Sequence, residues 1–339
     1  MNRSGFLVQC NRSSGSIMFR CVLLFLLLCG FAIPRHAWAD HPDPLIADSP
    51  NADSSNATRP NIVFAFADDW GRQASIYRGI GDADSRALCD LVDTPHFDSV
   101  ARRGVLFSRA YVNAPSCTPC RSSLMSGQHF FRTGRAAILQ GAIWDSSIPT
   151  WPRLLRQSGY KAGFTHKVWS PGSVADAPYG DAEHRFRPAG GIDSRFSQFA
   201  TQQIKQGKSF ADAKAMVQQT VRKNFQAFLQ QQPSAEPFCY FYGPTNVHRK
   251  WIWKSGTDLW GMDPDDLKGR MPAFLPDVPT VRQDLVDYLG EVQAFDAALG
   301  VLLDELKSRG LLENTLVVVS GDHGPAGFPH GKCNLYEFG

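Results

Sequence analysis

Asn61-Ile62-Val63-Phe64-Ala65-Phe66-Ala67-Asp68-Asp69 (NIVFAFADD) is an unbroken apolar run that stops on two carboxylates. A strand with one wet face would alternate polar and apolar residues. A run without alternation describes a strand covered on both faces, as in a parallel sheet enclosed by helices. Thr315-Leu316-Val317-Val318-Val319-Ser320, near the other end of the chain, reads the same way and leads into Asp322-His323.

Between these runs the period changes. Leu285, Tyr288, Leu289, Val292, Phe295, Leu299, Leu302, Leu303 and Leu306 recur every three or four residues and Gly310 offers a stop, which predicts a long helix. Thr94-Pro95 opens a shorter one with Phe97, Val100 and Ala101 inward and Gly104 after it, and residues 217–229 predict a third. Phe238-Cys239-Tyr240-Phe241-Tyr242-Gly243 predicts a further strand, ending before Asn246 and His248. Strands alternating with helices give an α/β fold with a mostly parallel central sheet and helices on both faces. In such sheets functional sites collect outside the carboxyl ends of the strands, where Asp68, Asp69, His248, Asp322 and His323 fall.

Residues 1–39 have the pattern of an export signal: Arg3, Arg12 and Arg20, the apolar run 21–33, and Ala37-Trp38-Ala39 before Asp40. That run is too short for a stable membrane span, which needs about 20 residues. Residues 40–59, rich in Pro, Asp, Ser and Asn, read as a flexible lead-in with an acceptor pattern for glycosylation at Asn56, and 60–339 as one catalytic domain. The location expected is periplasmic or secreted. Without the four arginines of 1–39, 31 basic residues face 32 acids, and this net charge of −1 gives no footprint for nucleic acid. Outside that segment remain Cys89, Cys117, Cys120, Cys239 and Cys333, too few for a disulfide scaffold and odd in number, which leaves a free or modified thiol to explain.

Asp68, Asp69, Asp322 and His323 together offer three carboxylates and an imidazole, a set suited to a divalent cation; carboxylate dominance favours calcium, and the imidazole leaves manganese or zinc open. Cys117-Thr118-Pro119-Cys120 admits a redox dithiol or half of a zinc site, although Cys89, Cys239 and Cys333 supply no second ligand pair. A third reading takes Cys117, Pro119 and Arg121 together as C-x-P-x-R, a triplet expected by chance in about one chain of this length in a hundred. With Pro119 in a first helical turn, Cys117 and Arg121 share a face, so the guanidinium can hold an anion approaching residue 117.

C-x-P-x-R, continued by Ser122-Ser123-Leu124-Met125-Ser126-Gly127 and Arg132-Thr133-Gly134, resembles the signature of the type I sulfatases of the alkaline phosphatase superfamily, whose cysteine is oxidised to formylglycine. The resemblance extends to Asp68-Asp69, Thr94-Pro95-His96-Phe97-Asp98, Gly159-Tyr160 leading to Lys167, and Asp322-His323-Gly324 leading to Lys332. The look is nearest to heparan N-sulfatase-like members through Lys167-Val168-Trp169-Ser170-Pro171-Gly172 and Asn334-Leu335-Tyr336.

The resemblance implies an alkaline-phosphatase-like sheet and hydrolysis of a sulfate ester or sulfamate on a carbohydrate, after maturation by a formylglycine-generating enzyme. Asp68, Asp69, Asp322, His323 and residue 117 would hold a metal, calcium in this reading. Residue 117 as a gem-diol would attack sulfur, Arg121 and the metal would stabilise the oxygens, Lys167 and Lys332 would bind the sulfate group, and His248 would contact it or protonate the leaving atom. Trp169 stands where many relatives have histidine, which passes the acid role to His248, and His323 stands where relatives often have asparagine. Relatives continue into a smaller antiparallel C-terminal domain, so a chain ending at Gly339 is expected to lack it. The alternatives are a phosphatase or phosphonate hydrolase of the same superfamily, a thiol-disulfide oxidoreductase using Cys117 and Cys120, and an inactive truncated homologue. The aromatic segment from Trp251 to Trp260 is either a sugar platform or packing.

Overall fold

A computed structural model describes residues 59–80, 83–172, 179, 182–231 and 236–334. The export signal, nearly all of the lead-in, the Asn56 pattern and Leu335-Tyr336 lie outside the described residues.

Four strands, β1 (Asn61–Ala67), β2 (Lys161–His166), β3 (Phe238–Gly243) and β4 (Thr315–Gly321), form a wholly parallel sheet in the order β2-β3-β1-β4. The register pairs Ile62 with Cys239 on one side and with Leu316 on the other. Because side chains alternate across a sheet, the two central strands feed two cores. Val63, Ala65 and Ala67 with Phe238, Tyr240 and Tyr242 enter one; Phe66 with Cys239 and Phe241 enters the other, where Phe64 stacks on Phe241 at 5.3 Å.

Helices cover both faces. On the first lie α1 (Ala83–Leu91), α2 (Pro95–Arg103), α6 (Phe210–Gln230) and the 30-residue α8 (Pro279–Ser308); on the second, α3 (Cys117–Ser126) and α4 (Trp151–Gln157) contribute Met125, Trp151 and Leu155. Two further helices, α5 (Phe196–Lys205) and α7 (Ser255–Trp260), pack beside α6 and α8 around Phe196 and Leu259. None of the described helices is long and apolar enough to cross a membrane.

The α2 and α8 elements form as their periodicity predicts, with Pro95 in the first turn of α2. The α6 helix starts earlier than the apolar pattern, at Phe210, because Ser209 and Asp212 close a capping box ahead of it. The β4 strand departs from expectation: it ends the sheet order, and Leu316 is 55% exposed. An apolar run shows that a strand can be buried, but its neighbours decide whether it is. The β2 strand, Lys161-Ala162-Gly163-Phe164-Thr165-His166, carries no apolar run at all. Its Gly163 is needed because a Cβ there would run into the Phe228 ring of α6.

Three buried acids on α8 hold the surrounding loops. Asp287 accepts from the backbone N–H groups of Lys254 (2.9 Å) and Gly256 (2.8 Å), and Asp296 from His96 (3.2 Å) and Phe97 (2.7 Å) at the start of α2. Glu291 accepts from Ser197 N–H at 3.1 Å and the Asn246 amide at 3.0 Å. These contacts satisfy loop donors that would otherwise be buried unpaired.

Burial pushes the Glu291 carboxyl up to about 7 from 4.5, against the opposing pull of its hydrogen bonds. The folded state therefore binds this proton more tightly than the unfolded chain, and stability is lost as pH rises from about 4.5 to about 7. Glu291→Gln removes that loss. Its urea-unfolding free energy relative to wild type is expected to improve by roughly 2–3 kcal/mol between pH 5 and pH 8; an equal difference at both pH values would contradict the assignment.

Candidate active site

The carboxyl ends of the four strands converge on one buried cluster. Asp68 and Asp69 follow β1, and Asp69 takes a left-handed backbone (φ 64°) that sends its N–H to Asp322 Oδ1 at 2.9 Å. Asp322 N–H in turn donates to the Ala67 carbonyl at 3.3 Å, so the ends of β1 and β4 are tied in both directions. Lys167 follows β2, its N–H on the Gly243 carbonyl at 2.9 Å, and His248 lies on the loop after β3.

Cys117 opens α3, with Pro119 in the first turn where a missing N–H costs nothing, and Arg121 lies one turn on. Arg121 is wholly buried (0% exposed) and lies over the Phe66 ring at 4.9 Å. Nε donates to Asp322 Oδ2 at 2.9 Å and Nη2 to Asp68 Oδ1 at 3.2 Å, while Nη1 donates to the carbonyls of Lys167 (3.1 Å) and Val168 (3.3 Å). The guanidinium is thus committed to protein groups.

Two ammonium groups complete the charge balance. Lys167 Nζ is 2.6 Å from Asp68 Oδ1; Lys332 Nζ is 2.8 Å from Asp69 Oδ1 and 3.1 Å from Cys117 Sγ. The His323 ring lies between Asp69 (Nδ1 to Oδ1, 3.5 Å) and Asp322 (Nε2 to Oδ2, 3.4 Å). His248 Nε2 stands 3.8 Å from Asp69 Oδ2, and its side chain is 37% exposed at the mouth of the cluster.

The field inside is strong. Burial raises the Asp68 carboxyl, but the Lys167 and Arg121 charges overcome it and hold it well below the usual range. Asp322 goes the other way, pushed up by burial. Burial also raises the Cys117 thiol, yet the adjoining His323 imidazole and the Lys167 charge bring it below its ordinary value. Cys120 is pushed far up by burial and by Asp322, and its thiol donates to the Asp322 carbonyl at 2.9 Å.

One ligand atom each from Asp68, Cys117, Asp322 and His323 lies within 4.8 Å of the others, and the same holds for Asp68, Asp69, Cys117 and His248. Asp69 Oδ2 and His323 Nε2 are buried with no hydrogen-bond partner, a state that costs free energy unless a ligand fills it. Two carboxylates, an imidazole and residue 117 in each set, with these two open atoms, fit a divalent cation.

All the residues singled out from the sequence for chemistry fall in this cluster. Trp169 does not: its indole donates to the Ala136 carbonyl at 3.2 Å and its ring meets Trp144 edge-on, so it is packing. Sequence reasoning missed the support behind Lys167, where His166, at φ 68°, places Nε2 2.6 Å from Asp193 Oδ2 and the Tyr242 hydroxyl donates to the same oxygen at 2.9 Å. Nothing in the local pattern links His166 to a carboxylate in the next loop.

Comparison with known proteins gives consistent relatives. Human N-sulphoglucosamine sulphohydrolase (Homo sapiens) is 27% identical over 296 residues, which cover 81% of this chain and 52% of that protein, so the chain spans about half the length of this relative. A solved structure from work on glycosaminoglycan metabolism by Bacteroides thetaiotaomicron superposes with a TM-score of 0.58 at 19% identity, over 78% of this chain and 61% of the other. The phosphonate monoester hydrolase of Agrobacterium radiobacter superposes with a TM-score of 0.52 at 15% identity, over 80% and 65% of the two chains. At these identities the two structures share the α/β fold with this chain. Residues 60–337 match the sulfatase family, and the chain belongs to it.

Proposed function

We propose that this chain is the catalytic part of an exported hydrolase that removes sulfate from a sulfated carbohydrate, with Cys117 converted to formylglycine by a generating enzyme. The observation that carries this reading is the surroundings of Cys117: its Sγ is 3.1 Å from the Lys332 ammonium and belongs to both carboxylate-rich ligand sets. A sulfate ester needs both, cations for its oxygens and a site that activates the attacking group. The human relative's name, N-sulphoglucosamine sulphohydrolase, extends the reading to sulfamates.

Asp68, Asp69, Asp322 and His323 would hold a divalent cation, calcium by the weight of carboxylate, which supplies Lewis acidity toward the sulfate oxygens and the attacking hydroxyl. As a hydrated aldehyde, residue 117 would supply one hydroxyl to attack sulfur, breaking the bond to the leaving alcohol or amine, which would take up a proton. Deprotonation of its second hydroxyl would then restore the aldehyde and expel sulfate. Arg121 acts as a positioning residue, since four of its five N–H donors go to Asp68, Asp322 and the Lys167 and Val168 carbonyls. Lys167 and Lys332, which rest on carboxylates, are the point charges that meet the sulfate oxygens. His248, 37% exposed at the mouth, would give a proton to the leaving atom.

Two outcomes test this function. After co-expression with a generating enzyme, the tryptic peptide 110–121 is expected to carry the mass of an aldehyde at residue 117, and Cys120→Ala is expected to leave aryl-sulfate turnover within about twofold. A thiol persisting at residue 117 under those conditions would rule the mechanism out. Calcium at about 100 times its Kd is expected to raise the unfolding free energy by ~2.7 kcal/mol. Asp69→Asn should abolish most of that rise, and a wild-type chain indifferent to calcium and other divalent ions would remove the metal from the account.

A further inference from the structure

The loop from β3 to α7 carries three tryptophans on or near it, and the fold uses only two. Trp251 donates its indole N–H to the Val247 carbonyl at 2.9 Å and packs against Tyr288 (5.6 Å), with the Arg249 guanidinium over its ring at 4.1 Å. Trp260 lies between Phe196 (5.7 Å) and Phe210 (5.1 Å), with Lys214 over its ring. Trp253 is 51% exposed, and among the described residues it makes neither a ring contact nor a hydrogen bond. Half of the indole is left open to solvent, which makes its ring available to a stacking ligand.

Its neighbours say which kind. Lys250 and Lys254 flank it, both exposed, and no carboxylate among the described residues pairs with either ammonium. The backbone beneath them is fixed: Ile252 N–H donates to Ser197 Oγ at 3.2 Å, Lys254 N–H to Asp287 Oδ2 at 2.9 Å, and Ser255 N–H to the Ile252 carbonyl at 3.0 Å. Lys254 is itself in the left-handed region (φ 66°), a strained conformation for a lysine that these bonds sustain. An exposed indole with two exposed cations within three residues of it in sequence, on a loop with a fixed backbone, suits a ring with an apolar face and anionic substituents, and the rigidity lowers the ordering cost of binding.

The loop also leads to the catalytic cluster. Trp253 is five residues beyond His248, so their Cα atoms are at most about 18 Å apart. Trp251 is packed on Tyr288, whose hydroxyl accepts from Gly71 N–H at 3.2 Å, two residues past Asp69. We propose that Trp253, Lys250 and Lys254 form a subsite for an acidic sugar unit next to the one that carries the scissile sulfate. This choice of an oligosaccharide rests on the sulfatase reading, whereas the anionic, ring-stacking character of the subsite is read from its own residues.

The test compares the full-length matured enzyme with Trp253→Ala and with the double variant Lys250→Ala/Lys254→Ala, using two probes. One is a small aryl sulfate, followed by turnover; the other is a tetrasaccharide of N-sulfated glucosamine and uronic acid, followed by calorimetric binding. Both variants are expected to bind the tetrasaccharide about tenfold more weakly while aryl-sulfate kcat/KM and Tm stay at wild-type values. Undiminished tetrasaccharide binding by Trp253→Ala would overturn the subsite, as would a parallel loss of aryl-sulfate turnover or Tm. If the wild-type chain turns over no aryl sulfate but the variants still lose tetrasaccharide affinity, the sulfatase reading fails and the subsite stands.

Discussion

The buried guanidinium of Arg121 is the contact on which the rest of the site depends. It lies wholly inside the protein and bridges Asp68 after β1, Asp322 after β4 and the peptide carbonyls that follow β2. An unpaired charge at this depth would be prohibitive, and removing one partner of such a network typically costs about 3–5 kcal/mol. The geometry is therefore all-or-none: α3 presents Cys117 correctly only if three strand ends are in place, and those ends carry adjacent acids only because α3 supplies the cation between them. Asp69, left-handed and bonded through its N–H to Asp322, is a by-product of the same closure.

This dependence explains what the amino-acid pattern disclosed and what it concealed. The β1 strand and the α8 helix were legible because hydrophobic burial writes directly into sequence, as an unbroken run in one case and a three-to-four period in the other. The β2 strand was not, because its space is set by Phe228 of α6 pressing on Gly163, a constraint that exists only once the helix has docked. Asp68, Asp69, Asp322 and His323 were legible as a set because two acidic pairs each follow an apolar strand, whereas Lys167, Lys332 and His248 were legible only through the resemblance to sulfatase motifs. Their pairing was not. Arg121 reads from its spacing as a group for an incoming anion, whereas its donors are consumed by Asp68, Asp322 and two carbonyls. Likewise, Trp251, Trp253 and Trp260 are indistinguishable as letters, and only packing separates the two that are structural from the one that is not.

The long α8 helix solves a second problem. Loops at the carboxyl ends of parallel strands carry backbone donors into a region that the cores on both faces deprive of water. Asp287, Glu291 and Asp296 supply acceptors at successive levels of α8, for the 254–256 turn, for Asn246 and Ser197, and for the start of α2. The loop that bears His248 is thereby fastened through Asn246 and Arg249 to the longest of the described helices. Burial keeps the Glu291 carboxyl near neutrality in its titration, which shows that the fastening is made at some electrostatic cost.

The charge balance of the cluster sets the order in which it can act. Asp68, Asp69 and Asp322 are offset by Arg121, Lys167 and Lys332, and the two lysines rest on Asp68 Oδ1 and Asp69 Oδ1 themselves. A cation drawn to those carboxylates competes with the ammonium groups for the same oxygens. Arg121 is enclosed, with four of its five N–H donors bonded, whereas the lysines, 10% and 12% exposed, sit on flexible stems and reach the acids as single point charges. A cation held by the acids would displace the two ammonium groups from those oxygens and leave them in need of a new counter-ion. An anion bound at residue 117 would supply it, and by reciprocity such an anion would strengthen the hold of the acids on the cation.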